Sequence, residues 1–489
     1  MARPDPLRLT AVAVGALAVL VRIPGAIRDA MWQDEIASAH VIIKATPWGM
    51  VRQVGRTEAT PPLWYAGGWL WHTVGLSVVS YRSVSVLAGG VLAASTVLVA
   101  RRVLPLWGAA SAGVLVACGW QFVMHGRELR AYETFAALSV VFVLLLLRAS
   151  GEEPATRAGR WALPAVTCAA ALTNYFFLLD VAVALAWLSL RGDRTLIRRV
   201  LFGLVPIALW SPILVHQFLG QRFSWIGPFN FTALLDTYWN VFAEHTPGAG
   251  GVLLPLAVWC AVCAGAFALA RVSETGLLVG LLAIVPVLIT ALAWLAGAHV
   301  FDPRNLISAG PFAAICLIAP LALLEGRVRA LGPAVAALLA ALVLAGAVVA
   351  EATPPTPYDK VAQALVAQGW QRSDPILLFS DFDSWFAYRG PVEWYLPGDP
   401  YLTLGEPVAG VRCRAVFVVA PEGTEAVAVR RSGLLARSVT HGGILVGRLR
   451  TATVPVSALW AGAHILVGTA RPACVALVPE TRLVSTLER

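Results

Sequence analysis

The segment HGRELRAYETFAALSVVFVLLLLR (125–148) indicates the architecture of the chain. Its first nine residues carry a dense group of polar side chains, and an apolar run follows until Arg148. A helix needs about 20 apolar residues to cross the hydrocarbon core of a bilayer, and slightly fewer suffice where neighbouring helices shield it. The segment therefore predicts a membrane-spanning helix with a polar loop at one end.

Similar apolar runs recur along the 489 residues, of which 58% are hydrophobic and 13% charged, a composition outside the range of ordinary soluble proteins. We predict a polytopic α-helical membrane protein with about eleven transmembrane helices. They cover residues 8–27, 80–100, 105–123, 131–148, 161–175, 176–190, 200–218, 251–270, 276–297, 305–324 and 331–350. The first run leads into Pro24 without a small-x-small cleavage site, so we expect it to remain as an anchor.

Arginines predict the orientation of these helices through the positive-inside rule. With a cytoplasmic N-terminus, every inner loop is basic if the aromatic segment 61–76 lies in the membrane interface instead of crossing. The inner arginines are then Arg101, Arg102, Arg148, Arg157, Arg160, Arg191, Arg194, Arg198, Arg199, Arg271, Arg327 and Arg329. We therefore predict a multi-pass protein of the plasma (inner) membrane. The same clusters explain the net charge of +9 without a nucleic-acid partner.

The chain changes character after the proline-rich stretch TPPTPYD (353–359). We predict a transmembrane domain at 1–352, with a first outer loop at 28–79, and an extracytoplasmic α/β domain at 353–489. The predicted elements of the latter are a helix near 358–368, strands at 375–380, 414–420 and 444–450, and strands rather than a twelfth span within 454–478. Cys413 and Cys474 can pair there only if the region is outside the cytoplasm, and whether they do is left open.

Candidate chemical groups gather on the predicted outer side. Asp34 and Glu35 follow the first span as adjacent acids, suited either to removing a hydroxyl proton or to solvation in a loop. Arg127 and Arg130 oppose the positive-inside rule, so topology does not explain them, whereas phosphate binding does. The further outer candidates are Arg304 and the pocket residues His125, Glu128, Tyr132, Asn174 and Tyr175.

The order of these segments resembles the glycosyltransferase C superfold, specifically the bacterial relatives of dolichyl-phosphate-mannose protein mannosyltransferases and of the aminoarabinose transferase acting on lipid A. The matching segments are the acid pair Asp34 and Glu35, TPPLWY (60–65) for H-P-P-L-Y-Y, GRELRAY (126–132) for S-R-E-A-R-M-Y, PRN with Pro311 for P-R-Y with a later proline, and TNYFFLL (173–179) for a T-H-Y pattern. Thr60, Asn174 and Asn305 depart from the family's His, His and Tyr.

The resemblance implies an inverting transfer of a hexose or pentose from a polyprenyl-phosphate donor to a cell-envelope glycan, lipid or protein. Asp34 would be the base, with Glu35 its neighbour in the site. Arg127, Arg130 and Arg304 would bind the donor phosphate, supported by Tyr132. No cofactor is required, because arginines can neutralise a monophosphate leaving group, although the acid pair allows a divalent cation.

Two other functions compete with this prediction. A transporter or lipid flippase for a lipid-linked substrate would also be polytopic and basic, but transporters place ionisable groups near the bilayer midplane. Asp180, the clearest charge within a span, lies only a few residues from the predicted outer end. A non-catalytic envelope assembly protein would use SDFDSWFAYRG (380–390) to bind a partner, with Asp381, Asp383 and Trp385 in contact with carbohydrate.

Overall fold

Long apolar runs form helices because a helix satisfies every backbone hydrogen bond internally where water is absent. The computed structural model describes residues 5–151, 157–219, 226–243, 251–324, 331–352, 357–372, 374–379, 389–396, 403–404, 414–421, 423–431, 433–450, 454–455, 463–467 and 477–478. The chain divides into a first unit, Met1–Arg28 with Val41–Thr353, and a second unit, Asp29–His40 with Pro354–Arg489. Each unit is described by itself.

Helices occupy all the segments in which spans are predicted. In chain order they are α1 (Pro6–Arg28), α2 (Gln33–Ile42), α3 (Pro47–Thr57), α4 (Leu63–Thr73), α5 (Arg82–Ala100), α6 (Leu106–Cys118), α7 (Trp120–Gly126), α8 (Tyr132–Ala149), α9 (Arg157–Ala171), α10 (Phe177–Leu190), α11 (Arg194–Gly203), α12 (Val205–Leu219), α13 (Phe231–Ala243), α14 (Leu253–Val272), α15 (Glu274–Leu295), α16 (Ala309–Leu324) and α17 (Leu331–Ala352). Short 3₁₀ helices lie at Val79–Tyr81 and Pro303–Leu306.

In the part of the chain that the structure describes, five helices are long and apolar enough to cross a membrane. Two bent pairs, α6 with α7 (54°) and α11 with α12 (48°), raise the number to seven, and three shorter apolar helices lie within α10, α16 and α17. The protein is therefore a multi-pass membrane protein, and the count of eleven crossings stays a prediction. Helix α4 has 11 residues, which at about 1.5 Å per residue is too short to cross.

The bend between α6 and α7 has a local cause. Gly119 adopts an extended backbone conformation there, and a Cβ atom added to it would lie 2.7 Å from the Leu115 carbonyl oxygen. Its close neighbours therefore leave room for glycine only. After the bend, α7 continues to Gly126 and ends directly before the polar loop that carries the candidate arginines.

The second unit contains the predicted α/β elements. Its helices are α18 (Tyr358–Ala367), α19 (Arg389–Tyr395) and α20 (Thr424–Arg431), and its strands are β1 (Ile376–Phe379), β2 (Thr403–Leu404), β3 (Phe417–Pro421), β4 (Leu435–His441), β5 (Ile444–Leu449), β6 (Val454–Pro455), β7 (Ala463–Val467) and β8 (Leu477–Val478). Six strands form a sheet in the order β2-β7-β1-β3-β5-β4, where only β1 and β3 are parallel neighbours, and β6 pairs with β8.

The central strands β1, β3 and β5 of this sheet carry buried side chains on both faces. The first hydrophobic cluster includes Val361 and Leu365 of α18 together with Phe417 of β3. The second cluster includes Ala426 of α20 with Val418 of the same strand, on its opposite face. The residues Asp381, Asp383, Trp385, Cys413 and Cys474 lie outside the described residues.

Part of the first outer loop belongs to the second unit. The backbone N–H of Met31 donates to the hydroxyl of Tyr395 at 2.6 Å. The rings of His40 and Trp394 pack edge to face with their centroids 5.1 Å apart. The segment from Met31 to His40 is therefore fixed against α19, a contact that the predicted domain boundaries did not include.

Candidate active site

The loop between α7 and α8, together with His125 before it and Tyr132 after it, holds five of the ten predicted site residues. The hydroxyl of Ser85, on α5, donates to the carbonyl oxygen of Arg130 at 3.1 Å and fixes the loop backbone. Nδ1 of His125, near the end of α7, lies 3.1 Å from Oε2 of Glu128 in the loop, and both side chains are largely buried. Arg127 is 2% exposed, and its Nη2 lies 2.9 Å from the sulfur of Met124.

Three predicted site residues lie around the ring of Tyr132. The Arg130 guanidinium lies 5.5 Å from the ring centroid, and its Nη2 lies 3.4 Å from the Tyr132 hydroxyl. The Arg304 guanidinium, from a distant segment of the chain, lies 5.8 Å from the same centroid. The His125 ring packs 4.8 Å away. We call His125, Glu128, Arg130, Tyr132 and Arg304 the arginine cluster.

Carboxylates hold the cations of this cluster in place. Oδ1 of Asp302 accepts from the backbone N–H of Arg304 at 2.9 Å, and Oδ2 accepts from its Nε at 3.1 Å. Oε2 of Glu58 lies 3.6 Å from Nη1 of Arg130. The side chains of Arg130 and Arg304 remain 13% and 20% exposed. A guanidinium has five N–H donors, so an arginine can in general bind a carboxylate and a phosphate at the same time.

Glu58 is a site residue that sequence reasoning missed, although it lies just before the Pro61–Pro62 pair. Its Oε2 accepts a hydrogen bond from the hydroxyl of Tyr65 at 2.6 Å, and its Oε1 accepts one from Thr57 at 3.2 Å. Burial, and then the negative charge of Glu58, raise the pKa of Tyr65 well above its ordinary range. Tyr65 therefore stays protonated and keeps donating to Glu58 at physiological pH.

Replacing Tyr65 with phenylalanine tests this support. We expect the apparent affinity for an anionic donor to fall by roughly 3- to 10-fold, because Glu58 loses a buried hydrogen bond and holds Arg130 less firmly. The effect should be the same at every pH from about 6 to 9, since the raised pKa keeps Tyr65 protonated across that range. Donor titrations of wild type and variant at several pH values measure it. A difference that disappears towards high pH would contradict the argument.

Asn174 and Tyr175 hydrogen-bond elsewhere in the first unit. Oδ1 of Asn174 accepts from the backbone N–H of Phe176 at 3.0 Å, which shapes the turn before α10. The Tyr175 hydroxyl donates to Gln217 at 2.6 Å and accepts from Trp210 at 2.7 Å, both on α12. Their described hydrogen bonds therefore join the turn before α10 to α12 and do not include a member of the arginine cluster.

The predicted acid pair lies in the second unit, in the first turn of α2. Oε2 of Glu35 accepts from the backbone N–H of Trp32 at 3.2 Å, the geometry of a helix-capping glutamate, and Glu35 is fully buried. Asp34 is partly exposed. Both acids are favourably placed in the field of the helix N-terminus. Of the two, Asp34 presents the more accessible carboxylate, and Glu35 stabilises the helix start.

A buried ion pair beside the polar loop was also missed. Nη2 of Arg22, on α1, lies 2.8 Å from Oε1 of Glu133, and neither side chain is exposed. Nη1 donates to the carbonyl oxygens of Ala18 and Ala117 at 2.7 and 2.8 Å. A Cβ on Gly126 would lie 2.1 Å from Nε of Arg22, so the guanidinium occupies space that a side chain would fill. Because Glu133 follows Tyr132 directly, this pair anchors α8 where the loop ends.

Among the residues that the structure describes, no group of three or more His, Cys, Asp or Glu side chains is placed to hold a metal ion. The divalent cation allowed by the acid pair therefore stays a prediction from the sequence.

Comparisons with known proteins identify the fold. No protein-family profile and no curated protein matches the chain. ArnT from Cupriavidus metallidurans, in a crystal structure bound to undecaprenyl phosphate, matches with a TM-score of 0.56 at 13% identity, covering 89% of this chain and 97% of that one. Its apo structure matches with a TM-score of 0.55 at 14% identity and the same coverage. An oligosaccharyltransferase from Archaeoglobus fulgidus, in the apo form, matches with a TM-score of 0.46 at 13% identity, over 74% and 58% of the two chains. The likeness to ArnT spans nearly the whole chain, which therefore has the glycosyltransferase C fold that its motifs resemble.

Proposed function

We propose that this protein is a membrane glycosyltransferase that moves a sugar from a polyprenyl-phosphate donor to an acceptor on the extracytoplasmic side. The observation that carries the proposal is the arginine cluster, in which Arg130 and Arg304 approach the same Tyr132 ring. The fold supports the same function, because ArnT, a lipid A aminoarabinose transferase of the same fold, binds undecaprenyl phosphate in one of its structures.

The arginines act on the leaving group. As the bond between the anomeric carbon and the phosphate oxygen breaks, negative charge grows on the phosphate. Guanidinium groups stabilise that charge through charge-assisted hydrogen bonds, which are strong in a site shielded from water. Arg130 and Arg304 keep part of their surface accessible and contact the donor phosphate directly. Arg127 is buried, so its positive charge acts on the phosphate from within the loop between α7 and α8.

Asp34 supplies the base. Its carboxylate takes the proton of an acceptor hydroxyl, while the hydroxyl oxygen attacks the anomeric carbon from the face opposite the phosphate. The sugar is transferred with inversion, and the polyprenyl phosphate leaves. Glu35 keeps Asp34 in position through its hydrogen bond to Trp32 at the start of α2.

A transfer assay tests the proposed function. Membranes containing the protein are incubated with polyprenyl phosphates that carry radiolabelled mannose or a labelled pentose, together with an envelope extract as acceptor. Incorporation of label through a new glycosidic bond supports the proposal. Movement of an intact donor across proteoliposomes without a new bond would instead identify a transporter and overturn it.

Substitution of Arg304 tests the role of the arginine cluster. We expect Arg304→Ala to raise the donor KM by roughly 10- to 100-fold, because a hydrogen bond to a charged group contributes about 1.5–3 kcal/mol. Arg304→Lys should recover part of the lost donor affinity, since lysine restores the positive charge but not the bidentate hydrogen bonding of a guanidinium. Initial rates against donor concentration measure both. Arg8→Ala serves as the control, because that side chain is 85% exposed and lies outside the cluster. An unchanged KM in Arg304→Ala would contradict donor binding there.

A further inference from the structure

A groove separate from the arginine cluster opens between α9 and α11. It encloses about 450 Å³, and its lining consists of three arginines, two aromatic residues and one proline. These residues are Arg160, Trp161, Pro164, Arg198, Arg199 and Phe202. None of them takes part in the proposed transfer reaction.

The sequence of α11 explains why the groove has this lining. Leu196, Val200 and Gly203 form its buried face. A Cβ on Gly203 would lie 2.6 Å from the carbonyl oxygen of Pro164, so the two helices approach closely at that end. The arginines of α11 and Phe202 therefore lie on the other side of this helix, away from its contact with α9.

The two aromatic residues of the groove are exposed. Trp161 is 61% exposed and Phe202 is 58% exposed, and their ring centroids lie 5.9 Å apart. Exposed tryptophan beside arginine is typical of residues at the level of lipid headgroups, where one side of the site is apolar and the other is wet. The positive-inside prediction places this groove at the cytoplasmic leaflet.

The acidic residue directly before α11 caps that helix. Oδ1 of Asp193 accepts from the backbone N–H of Leu196 at 3.0 Å and caps the helix. Three guanidinium groups at one groove attract an anion, and each can present two parallel donors to a phosphate.

We propose that this groove binds the phosphate of an anionic phospholipid headgroup in the cytoplasmic leaflet. The three arginines contact the phosphate, and the exposed rings of Trp161 and Phe202 cover the glycerol and the start of the acyl chains. The aromatic wall favours a lipid over a free anion, because inorganic phosphate has no apolar part to place against it. The inference does not depend on the proposed glycosyl transfer.

Binding of phosphatidylglycerol to the full-length protein in a neutral detergent tests the proposal. We expect wild type to bind phosphatidylglycerol at least about tenfold more tightly than phosphatidylcholine, because basic clusters select anionic lipids. The triple variant Arg160→Gln, Arg198→Gln, Arg199→Gln should lose that preference. A triple variant with the same change in charge, Arg101→Gln, Arg102→Gln, Arg271→Gln, should keep it. Native mass spectrometry counts the bound lipids, and thermal unfolding with each lipid measures the affinity.

Several outcomes would overturn the proposal. One is an equal loss of preference in both triple variants, which would mean that general charge rather than the groove selects the lipid. Another is that inorganic phosphate stabilises the wild type as strongly as phosphatidylglycerol does, which would identify a free-anion site. If the first triple variant fails to fold, the single variants Arg198→Gln and Trp161→Ala replace it. Retention of the full lipid preference in both would also contradict the inference.

Discussion

Replacing Asp34 with asparagine is expected to lower the turnover of sugar transfer by about 10²- to 10⁴-fold, the usual contribution of a general base. Asparagine keeps the size of the side chain and a polar group in the first turn of α2, so the helix start should persist. It cannot accept the acceptor's proton. The donor KM should change little, because in the proposed mechanism the arginines bind the donor.

The assay for Asp34→Asn compares kcat and donor KM with those of wild type in membranes that contain equal amounts of folded protein. Asp359→Asn is a matched control, because Asp359 also lies in the first turn of a helix of the second unit. We expect the control to keep wild-type turnover. Wild-type turnover in Asp34→Asn would remove Asp34 from the role of base, while a large rise in KM at unchanged kcat would place it in donor binding.

The membrane helices could be predicted from sequence because each depends mainly on the composition of its own segment. Even so, the predicted span 200–218 is a bent pair, in which α11 starts at Arg194 and ends at Gly203 before α12 continues. Because one face of α11 is polar, the first part of this helix contains no continuous apolar run and was not included in the predicted span. The α/β elements at 358–368, 375–380 and 444–450 were predicted for a similar reason, since short strands and an amphipathic helix have local patterns.

The candidate site could be predicted only in part. Arg127, Arg130 and Arg304 were predicted to lie together on the outer side, and the structure brings Arg130 and Arg304 to the ring of Tyr132. Glu58 was missed because a single acid before two prolines has no pattern that distinguishes it from a solvated loop residue. Asn174 was grouped with the pocket, but its side chain turns back to Phe176, and side-chain direction cannot be read from a topology.

Contacts between distant parts of the chain were the least accessible to sequence reasoning. Met31 and Tyr395 are separated by 364 residues, and Arg22 and Glu133 by 111. From the sequence alone, Arg22 is a charged residue near the end of a predicted span, and its long side chain is expected to extend to the membrane interface. Only the packed structure shows that it pairs with Glu133 inside the helix bundle.

Replacing Arg22 with methionine is expected to lower the free energy of unfolding by about 3–5 kcal/mol, the cost of removing one partner of a buried ion pair. The guanidinium holds Glu133 on α8 and the carbonyl oxygen of Ala117 at the end of α6. Without it, the buried Glu133 carboxylate loses its ion-pair partner, and the start of α8 is no longer anchored to α1. Chemical unfolding in detergent, followed by tryptophan fluorescence, measures the change.

A double variant separates the charge from the packing. Arg22→Met with Glu133→Gln removes both charges, so it should recover much of the stability lost by Arg22→Met alone. Arg8→Met makes the same substitution at a side chain that is 85% exposed, and we expect less than about 0.5 kcal/mol from it. If the double variant were as unstable as Arg22→Met, the loss would come from packing around Gly126 instead of from an uncompensated charge. Because the pair anchors the loop that ends at Tyr132, the double variant should also keep a higher donor KM than wild type after its stability returns.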